Sequence, residues 1–324
     1  MAVFTEVSFT EAASLIRNLN IGELTSLEGC AGGIENTNYF ADTTQGRYVL
    51  TLFERLTFEQ LPFYLRLMKH LALRDIPVPD PHANRHGELL LSLKGKPAAV
   101  VNRLRGRHHL APDEHDCARV GAMLARMHLA GVDFAQRQPN LRGLVWWTET
   151  VPIVLPFLNP SQAQLICDEL ALAQQVARSA AHAALPQGAI HADLFRDNVM
   201  FEGDELTGVF DFYFAGFDAL LFDVAVCLND WCIDLASGSL IEQRADAFVA
   251  AYDAVRPFTA DELRLLPALM RNAALRFWIS RLWDVHLPRD ASVLTAHDPT
   301  HFERVLRQRA SQPWHYVRAS VVTA

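Results

Sequence analysis

The order of patterns along this chain predicts an α+β protein in two lobes, a small N-terminal lobe built on an antiparallel sheet and a larger, mostly helical C-terminal lobe. Strand-like segments crowd into the first third, helical periodicity takes over from Pro112, and one strand pair at 199–210 interrupts the helices. Strands in one run and helices in another pack as separate layers instead of alternating βαβ units. The lobes therefore divide as 1–104 and 105–324, with a cleft between them where a small ligand is expected to sit.

In the N-terminal lobe, Ser8-Phe9-Thr10-Glu11 reads as a capping box opening a helix to about residue 19. Tyr39-Phe40-Ala41 and residues 48–53 read as strands around a turn at Thr44-Gln45-Gly46. Ahead of them, Gly29, Gly32 and Gly33 leave backbone amides unshielded, and Asn36 and Asn38 add small polar groups. Such a loop is either a phosphate cover or an ordinary turn. Thr57 caps a helix over 58–74, with Glu59 in its first turn and Leu61, Leu65, Met68 and Leu71 as its apolar stripe. The prolines at 77, 79 and 81 exclude helix there. Two strands, 88–93 and 98–104, follow around a Lys94-Gly95 turn.

In the C-terminal lobe, residues 113–130 form one helix with Val120, Leu124 and Met127 inward. Residues 134–160 read as irregular and aromatic, and Asn159 or Ser161 starts a helix to about 184. Helices over 220–234, 239–255 and 259–286 close the lobe, with a shorter one over 302–309.

Half of the residues are apolar and 20% charged, the profile of a soluble globular enzyme. A formal charge of −8 argues against a nucleic-acid partner, which asks for a basic face. Five cysteines without metal-site spacing read as reduced thiols. The first residues carry no signal-peptide pattern, and no apolar run reaches membrane-span length. A cytoplasmic protein without membrane contact is expected; oligomeric state is not legible.

The chemistry concentrates between Ala189 and Asp218. His191, Asp193, Asp197 and Asn198 fall within eight residues, followed by a hairpin pattern: Val199-Met200-Phe201, a polar Gly-containing turn, and residues 206–210. A hairpin brings its ends together, so Asn198 before it and Asp211 after it are expected to be neighbours, with Asp193 on the loop leading in. One carboxylate is then available to orient a hydroxyl, and an Asn–Asp pair to supply hard oxygens of the kind Mg²⁺ prefers. Phosphoryl transfer needs little beyond positioning, metal neutralisation of charge and a carboxylate beside the nucleophile. The competing reading is a polar surface loop, which does not account for the fixed order of His-x-Asp-x-x-x-x-Asn, hairpin and Asp-Phe.

These residues, His-Ala-Asp-Leu-Phe-Arg-Asp-Asn and then Phe-Asp-Phe, resemble the catalytic loop and metal-binding aspartate of the kinase-like small-molecule phosphotransferases, the family of aminoglycoside and choline kinases. Protein kinases carry Arg where this chain has Ala192 and Gly where it has Tyr213, and both departures point to the small-molecule branch. The resemblance implies a protein-kinase-like fold using ATP and Mg²⁺. Asp193 would orient the acceptor hydroxyl, His191 would hold the loop, and Asn198 and Asp211 would carry the metal. Gly32, Gly33, Asn36 and Asn38 would cover the nucleotide, and Asn102 and Leu104 would flank the hinge where adenine meets backbone groups.

One part of the family pattern is missing. The strand position that usually holds a phosphate-binding lysine is Thr51, so an ion pair with Glu59 cannot form; Arg47, Arg55, Lys94 and Lys96 are candidate replacements. Either Mg²⁺ and loop amides carry the phosphate charge, or the chain is a non-catalytic nucleotide-binding relative. Residues 48–54, 61–81, 190–201 and 224–232 further resemble the branch that phosphorylates the hydroxyl of L-homoserine on the way to threonine. That small zwitterion asks for an arginine at its carboxylate. Arg276, Ser280 and Trp283 or Asp284 recur at helical spacing beside Arg281, while Asp218, Asn229, Asp230 and Trp231 lie just past the metal positions, near enough for an ammonium group. Choline, ethanolamine, methylthioribose and aminoglycosides are acceptors the fold alone does not exclude.

Overall fold

The computed structural model describes residues 5–30, 36–287 and 297–318. Ser8 and Glu11 close the expected capping box, the hydroxyl accepting from the Glu11 amide (3.3 Å) and the carboxylate from the Ser8 amide (2.8 Å), and α1 (Phe9–Arg17) follows. Next come β1 (Leu24–Gly29), β2 (Asn36–Thr43), β3 (Arg47–Phe53), α2 (Leu61–Ala72), β4 (Leu91–Leu93) and β5 (Lys96–Asn102). The five strands form one antiparallel sheet in the order β1-β2-β3-β5-β4. Tyr39, Tyr48, Leu50, Leu52 and Val100 form a core with Ile16 of α1. The strand period of two then turns Asn38 and Thr51, partners across β2 and β3, to the opposite face.

Two sequence expectations shift in this lobe. The second helix begins at Leu61, three residues later than expected: Pro62 favours a first-turn position, and Thr57 to Gln60 form a turn before it. Glu59 is therefore exposed and outside the helix. The strand expected at 88–93 shortens to three residues, because Asn84 collects the Glu88 amide and carboxylate into a loop (3.0 and 2.7 Å).

The remaining elements are α3 (Glu114–Ala130), α4 (Leu144–Val154), α5 (Pro160–Ala177), α6 (Ala180–Ala183), β6 (Gln187–Ile190), β7 (Val199–Glu202), β8 (Glu205–Val209), β9 (Gly216–Ala219), α7 (Leu220–Trp231), α8 (Glu242–Val255), α9 (Ala260–His286) and α10 (Thr300–Ser311). α4 lies where an irregular segment was expected; it buries Trp147, Val151 and Val154 on one face despite an internal Pro152. The helix expected to reach residue 184 breaks after Ala177, and Ser179 caps the short α6. The β6–β9 pair was not anticipated; it joins Ile190 to Gly216 and so fastens the segment leading to His191 to the segment after Asp211. Every residue of α7 is buried, and with α9 and α3 it forms the main core, into which α2 also packs. Cys117, Cys227 and Cys232 are buried free thiols in that core. Among the described residues, no helix is long and apolar enough to cross a membrane.

Candidate active site

The hairpin forms as the sequence predicts. Val199 pairs with Val209, and the Phe210 amide donates to the Asn198 carbonyl (3.1 Å), which sets Asn198 and Asp211 side by side at the open end of one ladder. The Asn198 Nδ2 donates to the Asp193 carbonyl (2.8 Å), so its Oδ1 is the amide atom turned away from the loop. Asp211 follows β8 in the left-handed region (φ 66°), a conformation that costs a non-glycine residue ~1 kcal/mol or more and that persists only where surrounding structure enforces it. A tight turn over Phe212–Phe214 follows and carries the chain into β9.

Asp193 stands between these groups with 16% of its side chain exposed. Burial lifts its carboxyl to about 8; the Arg276 guanidinium opposes that rise, and the negative charges of Asp211, Asp197 and Asp230 add to it. Asp193, Asn198 and Asp211 are thus brought together, as the sequence predicts. One carboxylate and one amide oxygen, from Asp211 and Asn198, suit a hard divalent cation that takes its other ligands from water and phosphate. Among the described residues, no group of three or more His, Cys, Asp and Glu side chains could hold a metal.

His191 is a positioning residue. Its Nε2 faces the Phe210 carbonyl (2.9 Å) and its Nδ1 faces the Asp193 amide (3.3 Å), which engages both ring nitrogens. Burial holds its pKa below the usual value, with Asp223 opposing, so the neutral ring donating from Nε2 fits both contacts.

The loop is held from below by one face of α7. Asp223, Cys227, Asp230 and Trp231 fall at helical spacing, and each meets the segment 191–196. The Asp223 carboxylate accepts from the amides of His191 and Ala192 (both 2.7 Å) and faces His128 Nε2 (3.2 Å). The left-handed backbone of Ala192 (φ 64°) accompanies this convergence of two successive amides on one carboxylate. Burial pushes the Asp223 carboxyl up, but His128 and the loop amides outweigh it and hold it below the usual carboxylate range. His128 Nδ1 in turn meets the Tyr252 hydroxyl (2.7 Å). Sequence reading missed Asp223 and His128, although the spacing of polar residues on an otherwise apolar helix was a signal for the first.

Several residues expected near substrate are committed elsewhere. Asp230 binds the Arg196 amide and Nε (2.8 and 3.1 Å), and Trp231 is fully buried with its indole N–H on the Leu194 carbonyl (3.0 Å). Asp218 accepts from Asn140 Nδ2 (2.9 Å) and the Ala219 amide (2.7 Å). Arg281 donates to the Asp298 carbonyl (3.1 Å) and lies over the Phe302 ring. Arg276 is different: it is 2% exposed, its Nη1 lies 3.7 Å from Asp193 Oδ1, and it packs on the rings of Phe277 and Phe214. Burial lowers its pKa to about 10, against the pull of Asp193.

Of the residues expected to meet nucleotide, the Thr51 hydroxyl donates to Asn38 Oδ1 (2.7 Å) on the sheet face away from α1, with Asn36 two residues earlier on β2. Gly32 and Gly33 lie outside the described residues. Asn102 ends β5 and its Oδ1 accepts from the Asp80 amide, while Leu104 packs on Gly208 of the hairpin. The four candidate replacement cations are already engaged: Arg47 with Asp42 (3.5 Å), Lys94 with Glu11 (3.2 Å), Lys96 with Glu54, and Arg55 in an interaction of its own. Glu59, exposed ahead of α2, is not presented by that helix.

Comparison with known proteins agrees with this arrangement. The sequence model of the phosphotransferase enzyme family (APH) matches residues 26–258. A protein of Polaromonas naphthalenivorans (strain CJ2) named homoserine kinase is 67% identical over 97% of this chain and 99% of its own length. One of the same name from Janthinobacterium sp. (strain Marseille) is 55% identical over 96% and 97%. Among solved structures, an amicoumacin kinase in complex with AMP-PNP, Ca²⁺ and Ami superposes with a TM-score of 0.67 over 94% of both chains at 16% identity, which shows a shared kinase-like fold. The catalytic loop, the hairpin and the two-lobed fold are features of one lineage, and the chain belongs to the phosphotransferase enzyme family.

Proposed function

We propose that this protein is a cytoplasmic, ATP- and Mg²⁺-dependent kinase that phosphorylates the side-chain hydroxyl of L-homoserine, giving O-phospho-L-homoserine and ADP, a step toward threonine. The observation that carries the reading is the meeting of Asp193 with Asn198, Asp211 and the buried Arg276. Near-full-length relatives named homoserine kinase support the acceptor. The free thiols Cys117, Cys227 and Cys232 support a reducing compartment.

The nucleotide lies between the lobes 1–104 and 105–324, with Asn36, Asn38 and Thr51 facing its phosphates and Asn102 and Leu104 beside the hinge. Asp193 accepts a hydrogen bond from the acceptor hydroxyl and aims its oxygen at the γ-phosphorus. As the new O–P bond forms and the bond from phosphorus to the bridging oxygen of ADP breaks, the hydroxyl proton passes to Asp193. Mg²⁺ held by Asn198 and Asp211 would supply positive charge to the phosphate oxygens. Asp223, Trp231 and Asp230 keep the loop backbone fixed, which matters because misplacement by about an ångström costs about 10²-fold in rate. A buried arginine at the catalytic carboxylate suits an acceptor that bears a carboxylate and opposes choline, which carries a cation and no carboxylate.

The test is ADP release from Mg·ATP across a panel of L-homoserine, L-serine, choline, ethanolamine, methylthioribose and an aminoglycoside. Homoserine is expected to give the highest kcat/KM. Turnover confined to another alcohol refutes the acceptor, and nucleotide binding without turnover on any of them refutes the kinase.

A further inference from the structure

Arg276 is a cation enclosed by protein with part of its donor set unused. Its Nη1 faces Asp193 (3.7 Å), and its guanidinium carbon lies 3.7 Å from the Phe277 ring centre and 5.1 Å from that of Phe214. Nε and Nη2 are both buried and, among the described residues, have no hydrogen-bond partner. Buried charged donors without acceptors are costly; Arg304 and Arg309 each have one, and among the described residues Arg276 alone has two, which fits a missing ligand group at that edge. The two atoms also define an edge. Nε–H and Nη2–H project in parallel from one side of the planar group, the side that grips a carboxylate with two hydrogen bonds. The indole N–H of Trp283, two turns further along the same face of α9, is another buried donor without a partner among the described residues.

We infer that the Nε–Nη2 edge of Arg276 is the receptor for the α-carboxylate of the acceptor, making this residue the determinant of an amino-acid substrate over a plain amino alcohol. The inference rests on the acceptor reading above and deepens it. A single guanidinium then serves two carboxylates: Nη1 faces the one that orients the hydroxyl, and the opposite edge holds the one that belongs to substrate. The hydroxyl is thereby tethered next to Asp193 through the far end of its own molecule. Nε and Nη2 are out of reach of water here, so the incoming carboxylate has to displace the side chains that cover them.

The test compares L-homoserine with 3-amino-1-propanol, the same amino alcohol with hydrogen in place of the carboxylate, on the wild type, Arg276→Lys and Arg276→Gln. For the wild type, homoserine is expected to win strongly. In R276Q, kcat/KM for homoserine should fall by ~10²–10³-fold more than for 3-amino-1-propanol, because a site built around a polar group discriminates steeply on it. R276K, which keeps the charge but loses the fork, should fall between the two, and KM for ATP should stay within about twofold. Equal losses on both acceptors overturn the inference, since Arg276 then serves Asp193 or the transferred phosphoryl group alone. A binding measurement covers variants that fail to fold: with Mg·ADP present, L-homoserine should raise the Tm of the wild type and 3-amino-1-propanol should not, and equal shifts overturn the assignment. Preference for a different carboxylate-bearing alcohol would refute homoserine while upholding the receptor. Preference for an acceptor without a carboxylate would refute both.

Discussion

Replacing Asp223 with Asn tests whether α7 sets the geometry of the catalytic loop. Asp223 accepts two amide hydrogen bonds at 2.7 Å and meets His128 at 3.2 Å, all fully buried. Asn keeps one oxygen but turns an NH₂ towards a group that is itself a donor. One charge-assisted bond is lost, about 1.5–3 kcal/mol, and one buried N–H is left unmet, about 1–3 kcal/mol, so the expected loss is about 2.5–6 kcal/mol. Against a total of about 5–15 kcal/mol the variant should still fold at 25 °C. The loop backbone then shifts, and kcat should fall by ~10²-fold with KM for ATP nearly unchanged. Urea unfolding and steady-state kinetics read the two effects separately. The pH dependence has a fixed sign. Because the folded-state pKa of Asp223 is depressed, its carboxylate stabilises the fold above the unfolded-state value, about 4, and that contribution disappears as pH falls through the folded value. The gap between wild type and variant should therefore be full at pH 7 and narrow in acid. A variant that loses under ~1 kcal/mol and keeps full kcat would refute the reasoning.

Asp193→Asn should lower kcat by ~10³-fold while leaving ATP affinity within about twofold, read by turnover and by nucleotide titration. Asp211→Asn should raise the Mg²⁺ concentration needed for half-maximal turnover by ~10-fold or more, measured at fixed ATP. Gly106→Ala should cost about 2–4 kcal/mol in thermal unfolding, because the residue sits at φ +102° and an added Cβ would fall 2.3 Å from the Phe201 carbonyl oxygen.

What the sequence made legible was local. The Ser8 capping box, the Lys94-Gly95 turn (φ 53° and 73°) and the hairpin that joins Asn198 to Asp211 each depend on a few neighbouring residues, and each formed where expected. What escaped it depends on contacts between distant segments. β6 and β9 are four-residue strands whose pairing arises only once the catalytic loop and the segment after Phe214 have been brought together. Trp231 and Asp230 were read as substrate groups because they are polar or amphipathic and lie near the motif. Their side chains turn instead to Leu194 and Arg196, which only the direction of α7 against the loop decides. Arg276 was legible as a cation on a cleft-facing helix, but its free edge and its neighbour Asp193 were not.

The loss of the strand lysine at Thr51 also has a structural side. In kinases, a lysine–glutamate pair ties the third strand to the following helix while it holds phosphate. Here the tie between those elements is aromatic. Phe53 at the end of β3 meets Tyr213 edge-on at 5.2 Å, and Tyr213 meets Tyr64 of α2 at 5.9 Å. Gln138 fixes the Tyr64 hydroxyl at 3.0 Å. Each such contact adds about 0.5–1.5 kcal/mol beyond burial, against about 0–1 kcal/mol for a solvent-exposed ion pair. Strand, helix and the segment after Asp211 are therefore registered without the lysine, and the residue that completes the contact, Tyr213, stands where protein kinases keep a glycine. The two departures from the family pattern, Thr51 and Tyr213, are in this sense linked: the tie between β3 and α2 runs through the rings of Phe53, Tyr213 and Tyr64 and not through a charge pair.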